Sequence, residues 1–448
     1  MSDATRRNGT ASPSRQKRPP LRRPPTRRVP VTGSARFNDA NARFGVPAAL
    51  PSAAVLRKTR VKPRKPGVSS APPKVRERFA KFDIPFFTIT AVLLAFGIVI
   101  LLSSSHAFAF REHGDSYFFF KRQLMCIALG LAAMIGLSLV DYHILRNKKI
   151  VTVAAAGSIG LMLMVRLTGA GVSQGGAERW LRLFGITFQP SEILKFAVIV
   201  VLAYVTHKNA GVIKSFFKGF VPFAAFLGIA CGLTMIQPHI SGTIIIFLIG
   251  LTMMTVGGCK ISHILFMCAC LGVMAFIGFE ILKARGYTYF DDRILSWRNP
   301  EADITGSTYQ TYQSLVTIGS GGWLGLGLGN SRGKLGYLPA AHNDFIFSVM
   351  CEEIGFVGAL LVILLFVIFV FRGFYIASRA RDLFGTMIAA GITAQIGIQA
   401  LLNIAVATNS VPNTGILLPF FSYGGTALIM QMAQLGILLN ISRKAAVK

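Results

Sequence analysis

The feature that most constrains this chain is a series of apolar segments, each close to the ~20 residues that a helix needs to cross a membrane. The series begins near Asp83 and continues almost to the end of the chain. Segments of this length are typical of transmembrane helices, which satisfy their backbone hydrogen bonds internally. We predict an all-α polytopic membrane protein with about ten spans, at residues 83–103, 122–142, 149–166, 190–207, 215–236, 241–258, 262–282, 345–371, 384–406 and 418–441.

The positive charge of the chain is concentrated ahead of these segments. The 448 residues carry a formal net charge of +29, although 52% of them are hydrophobic. Residues 1–82 hold 21 Lys/Arg, 3 acidic residues and 12 of the 20 prolines, whereas residues 83–448 hold 26 Lys/Arg and 15 acidic residues. Nucleic-acid binding would explain the charge but not the apolar excess, so we expect no nucleic-acid partner. Residues 1–82 have too few apolar side chains to offset the entropy of ordering, which predicts a disordered basic tail.

The distribution of basic residues predicts the orientation in the membrane. Ten spans put both termini on one side, and the basic residues at both ends favour the cytoplasm under the positive-inside rule. The tail then either fixes orientation as a solvated extension or is attracted to anionic lipid headgroups or an acidic partner. Three external segments are best able to hold a site: 167–190, the large extracellular loop 283–344, and 407–417.

Half of the cations after the tail, 13 of 26, fall on the external side or just beneath it. Long external loops are partly exempt from the positive-inside rule, which is one explanation. The other is that these cations face an anionic substrate such as a phosphate at the outer membrane surface. They include Arg179, Arg182, Lys195, Lys283, Arg285, Arg293, Arg298, Arg332 and Lys334.

Asp344 stands where the polar segment becomes the eighth span. It either caps the helix N-terminus or acts as a base, because burial raises the pKa of a carboxyl group while the helix dipole lowers it. Glu352 and Glu353 follow about 12 Å further along the same helix. At such a position they either form a structural ion pair or contact substrate.

The run Pro190-Ser191-Glu192 predicts a helix start that leaves Lys195 one turn inside the bilayer. Glu192 and Lys195 either pair within that turn, or Lys195 and Arg179 hold a phosphate. A lone histidine, His239, is expected to be a satisfied turn residue rather than a ligand.

Four motifs occur together between residues 83 and 441. They are Ala177-Glu178-Arg179-Trp180 with Phe188-Gln189-Pro190-Ser191-Glu192 and Lys195; Tyr309-Gln310 to Asn330-Ser331; Leu338-Pro339 to His342-Asn343-Asp344-Phe345; and Leu418-Pro419-Phe420-Phe421-Ser422-Tyr423-Gly424-Gly425. Their order and spacing resemble the SEDS family (shape, elongation, division and sporulation), the FtsW/RodA glycosyltransferases. The run Gly114-Asp115-Ser116-Tyr117 and the long basic tail resemble the division-type branch more than RodA.

The chain departs from the family pattern in two places. Gln237-Pro238-His239 stands where many members have Gln-Pro-Asp, so no carboxylate role carries over to position 239. Asn409, Ser410 and Asn413 stand where members usually have glycine and apolar residues.

The resemblance implies a SEDS-type fold that polymerises lipid II into β-1,4 glycan strands outside the membrane. Asp344 matches the essential aspartate of the family and would be the general base. The substrate-binding residues implied are Arg179, Gln189, Glu192, Lys195, Arg293, His342 and Ser422. No cofactor is certain, and a divalent cation, Mg²⁺ or Mn²⁺, is left open.

The resemblance also implies a class B penicillin-binding protein as transpeptidase partner, with other divisome proteins, in the bacterial cytoplasmic membrane at the division septum. Three alternatives stay open: a lipid II flippase, the elongation or sporulation paralogue, and a non-catalytic scaffold that recruits a synthase.

Overall fold

The computed structural model describes residues 83–167, 171–174, 177–183, 186–237, 239–284 and 289–445, so the predicted tail at 1–82 lies outside the described residues. Three short strands lie between the third and fourth helices: β1 (Gly171–Gln174), β2 (Ala177–Leu183) and β3 (Ile186–Phe188). The described helices are α1 (Ile84–His113), α2 (Phe118–Leu139), α3 (Lys148–Leu167), α4 (Pro190–Lys208), α5 (Val221–Ile236), α6 (Ile240–Val256), α7 (Ile261–Ala284), α8 (Tyr289–Arg298), α9 (Tyr309–Ser320), α10 (Ile346–Ser378), α11 (Leu383–Ala407) and α12 (Gly425–Lys444).

The long helices coincide with the predicted spans. Eight of the described helices are long and apolar enough to cross a membrane: α1 to α4, α5 with the turn before it, and α10 to α12. The apolar helix α6 and the apolar first part of α7 are shorter than these eight. The predicted spans are therefore helical over most of their described residues, and the helical polytopic fold is confirmed. The start of the last predicted span is wrong: residues 418–424 are not helical and α12 begins at Gly425, because this run contains Pro419 and Gly424, which disfavour a helix interior.

Two polar contacts join α1 and α10, one near each end of their long apolar stretch. At one end, Arg372 Nη2 lies 2.8 Å from Asp83 Oδ2. At the other, Glu353 Oε1 accepts hydrogen bonds from Ser103 Oγ at 2.5 Å and Lys334 Nζ at 2.7 Å. About 30 Å of α1 separates the two contacts, and neither helix has an ionisable side chain between them. The hydrocarbon core of a bilayer is also about 30 Å thick, so the spacing of the two contacts matches its thickness.

The centre of the bundle is formed by α4, α11 and α12. In these helices 72%, 72% and 67% of the membrane-length window is buried, against 39% or less in the other five long spans. Close helix packing depends on small residues, as is common in membranes. At Gly436 of α12, a Cβ atom would lie 2.4 Å from the Met134 carbonyl oxygen of α2, so the two backbones meet there.

The described residues between α3 and α4 contain β-structure that the all-helical prediction missed. β1 pairs antiparallel with β2, and β2 with β3; Val172 lies opposite Trp180, and Leu181 opposite Phe188. Leu181 is fully buried. Strands of three to seven residues show too little alternation of polar and apolar residues to be recognised beside long helices.

Within the predicted extracellular loop 283–344, the described residues 289–344 contain regular structure. They include α8, α9 and a 3₁₀ turn at Gly333–Leu335. Ser314 of α9 places its Oγ 2.7 Å from Ser348 Oγ at the start of α10 and donates to Ala407 O at 2.7 Å at the end of α11. The segment is therefore packed onto the helix ends that border Asp344.

Helix α10 is broken at Gly355, whose φ of 67° and ψ of −173° are not helical. Residues 321–329, named here the glycine hairpin, lie beside the break. A Cβ atom at Gly355 would lie 2.3 Å from Gly325 N, so only glycine lets the two backbones meet. Four backbone hydrogen bonds join them: Leu326 to Glu352, Gly327 to Glu353, Phe356 to Gly322 and Val357 to Trp323.

Candidate functional site

Asp344 lies in the short segment between the 3₁₀ turn and α10. The helix begins at Ile346 with Phe345 as its cap residue, and no side chain caps it. The N-cap residue is therefore Phe345 and not Asp344, whose side chain is half-buried one residue earlier. Its Oδ2 atom faces Gly415, where a Cβ atom would lie 3.2 Å away.

Three consecutive carbonyl groups leading to this carboxylate are each bound by a donor from elsewhere in the chain. The bonds are Tyr423 N to His342 O at 3.0 Å, Ser422 Oγ to Asn343 O at 2.6 Å, and Asn403 Nδ2 to Asp344 O at 2.8 Å. Because α11 and the turn before α12 supply these donors, the backbone that carries Asp344 is fixed by the centre of the bundle.

Ser422 has a bridging role in this arrangement. Its Oγ donates to Asn343 O and accepts from Leu418 N at 2.8 Å, and the residue is 6% exposed. These bonds join the turn before α12 to the Asp344 segment. The substrate contact implied for Ser422 stays a prediction.

His342 packs into an aromatic cluster two residues before Asp344. Its ring lies 4.7 Å from the Phe108 ring and 4.8 Å from the Phe119 ring, between centroids. Burial lowers the pKa of His342 to about 4, so the imidazole is neutral near pH 7. A neutral ring can form a hydrogen bond with a substrate but brings no positive charge to a phosphate.

Lys195 and Glu192 form the ion pair that their spacing indicates. Lys195 Nζ lies 2.7 Å from Glu192 Oε1, and the two side chains are 3% and 8% exposed. Lys195 also donates to Gln399 Oε1 at 3.2 Å. The phosphate role of Lys195 with Arg179 stays a prediction, since the Arg179 side chain lies outside the described part of the structure.

Two series of polar contacts lead from the start of α4 to residues 415–418, the loop that faces Asp344. The first series of contacts begins with Gln189 and the buried residue His239. The second series begins with the Glu192–Lys195 ion pair. The structure therefore links Gln189, Glu192 and Lys195 to this loop through intermediate side chains. The contacts are Gln189–His239 at 3.1 Å, His239–Ser241 at 3.3 Å and Ser241–Gly415 O at 3.5 Å, then Lys195–Gln399 at 3.2 Å and Gln399–Leu417 O at 3.1 Å.

A cavity of about 380 Å³ lies between the start of α4 and α12. Its walls are apolar apart from Gln189, Glu192 and Thr426, and Glu192 Oε2 is buried there with no hydrogen-bond partner among the residues that the structure describes. Such a space fits an apolar chain that ends in a polar group. The lining residues are Phe188, Gln189, Glu192, Ile193, Thr426, Ile429 and Met430.

Two of the cations predicted to face an anionic substrate, Lys195 and Lys334, each form an ion pair with a carboxylate of the protein. Lys334 binds Glu353 at 2.7 Å in a buried ion pair, as Lys195 binds Glu192. An internal carboxylate therefore accompanies Lys334 and Lys195 in the folded chain, and a substrate role for these two cations stays a prediction. Arg293 lies half-buried on α8, which packs against α9, and its substrate role stays a prediction.

Glu352 and Glu353 form structural contacts, one of the two interpretations of these residues. The Glu352 carboxylate accepts four hydrogen bonds from the segment ahead of Asp344, and Glu353 joins α1 to Lys334. The four donors to Glu352 are Ser320 Oγ at 3.1 Å, Ser331 Oγ, Arg332 N at 3.1 Å and Gly333 N at 3.2 Å.

Sequence reasoning missed the polar face of α11. Gln395, Gln399 and Asn403 recur every four residues and so lie on one helix face. Asn403 Nδ2 donates to Ile416 O at 2.6 Å as well as to Asp344 O. The available signal was three amide side chains in one apolar span, since polar side chains within a membrane face the bundle interior.

The motifs are matched by a family model. The model described as "Cell cycle protein", for FtsW, RodA and SpoVE, matches residues 84–447. Stage V sporulation protein E of Bacillus subtilis (strain 168) is 39% identical over 368 residues, 81% of this chain and 97% of that protein. A probable peptidoglycan glycosyltransferase FtsW of Geobacter sp. (strain M18) is 36% identical over 367 residues, 82% of this chain and 98% of that protein.

Solved structures share the fold. A chain from a study of polymerization and crosslinking by a peptidoglycan synthase complex superposes with a TM-score of 0.67 at 25% identity, covering 81% of this chain and 98% of that chain. The rod shape determining protein RodA of Thermus thermophilus superposes with a TM-score of 0.59 at 24% identity, covering 82% and 98%. The chain belongs to the FtsW/RodA/SpoVE family of cell cycle proteins.

Proposed function

We propose that this chain is a peptidoglycan glycosyltransferase that polymerises lipid II into β-1,4 glycan strands at the outer face of the cytoplasmic membrane. Relatives named as probable peptidoglycan glycosyltransferases are 35–36% identical over four-fifths of the chain. The observation that carries the proposal is the half-buried Asp344 carboxylate on a backbone bound at three carbonyl groups. A base must be positioned before the acceptor arrives, and this segment meets that requirement.

Asp344 is the general base of the proposed reaction. The acceptor 4-hydroxyl is a weak nucleophile, and its proton passes to the carboxylate as its oxygen bonds to the anomeric carbon of the donor. The bond from that carbon to the pyrophosphate oxygen breaks on the opposite face. The α-linked donor therefore gives a β-1,4 product, and undecaprenyl pyrophosphate leaves.

The leaving pyrophosphate needs positive charge and hydrogen-bond donors. We assign the charge to Arg179, Lys195 and Arg293, and neutral hydrogen bonding to Gln189 and His342. No group of three or more His, Cys, Asp or Glu in the described segments could hold a metal ion. Mg²⁺ or Mn²⁺ would therefore bind chiefly through the substrate phosphates, with one or two carboxylates at most.

The apolar cavity beside α4 supports a lipid-linked substrate. Its polar end lies at Gln189 and Glu192, and the polar contacts described above connect both residues to the loop that faces Asp344. We assign the cavity to the first part of the undecaprenyl chain. The pyrophosphate would then lie between the cavity and Asp344.

Polymerisation of lipid II by the purified protein, alone and with a class B penicillin-binding protein, tests the proposal. Asp344→Asn should lower the rate by about 100-fold or more, the usual size of general-base catalysis. Asp303→Asn is the matched control, because Asp303 lies in the same predicted extracellular loop and its carboxylate accepts a local hydrogen bond from Ser307 N at 2.7 Å. Full activity of Asp344→Asn would remove the general base, and an inactive wild type with and without the partner would remove the function.

A lipid II flippase is the second candidate function, favoured by the buried Glu192–Lys195 pair. A flippase needs charged groups at several depths along a groove, but Glu352 and Glu353 are bound to the loop at a single level. Proteoliposomes with lipid II only in the inner leaflet separate the two candidates. Translocation that Asp344→Asn leaves unchanged would support the flippase.

We further propose that a class B penicillin-binding protein and other divisome proteins are partners of this chain at the septum, with both termini in the cytoplasm. The structural neighbour from a synthase complex that couples polymerization and crosslinking supports a transpeptidase partner. The relatives include both FtsW and SpoVE proteins, so the sporulation or elongation role stays the alternative.

A further inference from the structure

The glycine hairpin exposes large apolar side chains. Trp323 is 73% exposed, Leu324 80% and Leu328 55%. The Trp323 ring lies edge to face with Phe356, with 5.4 Å between the ring centroids. Phe356 is itself 55% exposed and begins the exposed apolar face of α10 that continues at Val357, Leu360, Leu361 and Leu364. Exposed apolar patches of this kind mark contacts with a membrane or another protein.

The hairpin presents these side chains from a fixed backbone. Four backbone hydrogen bonds bind it to the broken turn of α10. Gly325 and Gly327 have φ values of 81° and 92°, which glycine adopts without steric cost. The backbone that carries Trp323 and Leu324 therefore cannot rotate these residues toward the bundle without breaking its hydrogen bonds to residues 352–357.

The bonds also fix the depth of the hairpin. They join it to residues 352–357, the level of the Ser103–Glu353–Lys334 contact. That contact lies about 30 Å along α1 from the Asp83–Arg372 pair and marks one boundary of the hydrocarbon core. Trp323 and Leu324 consequently lie at a membrane–water boundary rather than in bulk water.

We propose that the glycine hairpin is an interfacial anchor whose partner is the lipid surface of the outer leaflet. Tryptophan prefers this level because its large apolar ring meets acyl chains while its N–H reaches the headgroups. Leu324 enters the hydrocarbon beside it. Because the residues after the hairpin bind Glu352, the anchor sets the height of the Asp344 segment above the lipid, and it does so whatever reaction the protein performs.

Depth-dependent quenching of Trp323 fluorescence tests the anchor. The chain has three tryptophans, so Trp180→Phe with Trp297→Phe leaves Trp323 alone in an otherwise intact chain. The purified protein is placed in phosphatidylcholine vesicles with acyl chains brominated near the headgroup, brominated near the chain end, or not brominated. We expect the largest loss of emission with bromine near the headgroup, and little quenching by aqueous iodide.

A matched protein keeps only Trp297, through Trp180→Phe and Trp323→Phe. Trp297 lies on the polar helix α8, and its carbonyl binds Asn409 beyond the end of α11, so iodide should quench it and brominated chains should not. Strong iodide quenching of Trp323 would overturn the proposal, as would stronger quenching by bromine near the chain end. So would lipid quenching that disappears once a class B penicillin-binding protein is bound, since the surface would then belong to that partner.

Discussion

Gly415 combines two requirements at the residue scale. Its φ of 65° lies in the left-handed region, and a Cβ atom there would lie 3.2 Å from Asp344 Oδ2. The first requirement concerns the backbone of the loop alone. The second concerns the carboxylate proposed as the base, so position 415 is both conformationally and sterically restricted.

Gly415→Ala is expected to lower polymerisation activity while the protein still folds. The left-handed conformation costs an L-residue about 1–2 kcal/mol, and the added methyl group displaces the Asp344 carboxylate. Gly114→Ala is the matched control, because Gly114 has a φ of 69° and no atom within 4 Å of its Cβ position. Equal loss of activity in both variants would show that strain alone, and not contact with Asp344, is responsible.

His342 should make stability depend on pH. Its pKa is about 4 in the folded chain, against the ordinary histidine pKa of 6.5 in the unfolded chain, so the unfolded chain binds more protons between these values. The free energy of unfolding therefore rises with pH through this window, by about 3 kcal/mol at most, and this contribution is constant above it. Thermal unfolding in detergent, followed by intrinsic fluorescence at several pH values, measures the effect. His342→Phe keeps a ring against Phe108 and Phe119 and should flatten the pH dependence; an unchanged dependence would contradict this origin.

At the scale of elements, the turn that follows the glycine hairpin is held by the side chain of Glu352. Glu352 is 2% exposed and accepts four hydrogen bonds from residues 320–333. Glu352→Gln replaces one acceptor oxygen with an NH₂ group that faces donors. We expect a loss of about 2 kcal/mol of stability, because bonds to a charged acceptor are strong and a buried donor without a partner is costly.

Thermal unfolding and limited proteolysis of residues 321–337 measure this loss. Glu301→Gln is the control, because Glu301 is exposed in the same external segment. The Glu352 variant should unfold at a lower temperature and be cut faster in this region. Equal behaviour of the two variants would show that the four bonds contribute little.

Elements also show why sequence reasoning succeeded in one place and failed in another. Each long helix was predictable because its apolar residues form one continuous run, which is a local property. The strands β1 to β3 were missed because their pairing is set between segments, as where Leu181 lies opposite Phe188. The break in α10 at Gly355 was also not predictable, because it occurs where the backbone of Gly325, 30 residues earlier in the chain, packs against the helix.

At the scale of the whole molecule, the candidate site also combines features that a local sequence pattern predicts with contacts between distant segments. Asp344 was identified from its motif and from its place at a helix start. Its surroundings come from Asn403, Gly415 and Ser422. Asn403 is 59 residues from Asp344, whose carbonyl it binds, and Ser422 is 79 residues from Asn343, whose carbonyl it binds. No local pattern contains that information, because the bundle brings these residues together only after α11 and α12 have packed.

Orientation is the whole-molecule property on which the proposed reaction depends. Asp344 must face outward to meet a substrate displayed at the outer surface. The two polar contacts of α1 and α10 place Tyr337 near the end of α1 that lies beyond Ser103, because the neighbouring Gly336 lies against Arg111. Phe217 follows α4, at the opposite end of the bundle.

Cysteine labelling with a membrane-impermeant maleimide tests this orientation. The six cysteines are free thiols and are first replaced by alanine; Tyr337→Cys and Phe217→Cys then each provide one target, at positions 60% and 78% exposed. In spheroplasts, Tyr337→Cys should react at once, whereas Phe217→Cys should react only after permeabilisation. Because both positions are well exposed, a difference in labelling would report which side of the membrane each cysteine is on rather than how deeply it is buried. The reverse pattern would put Asp344 on the cytoplasmic side and exclude polymerisation at the outer face.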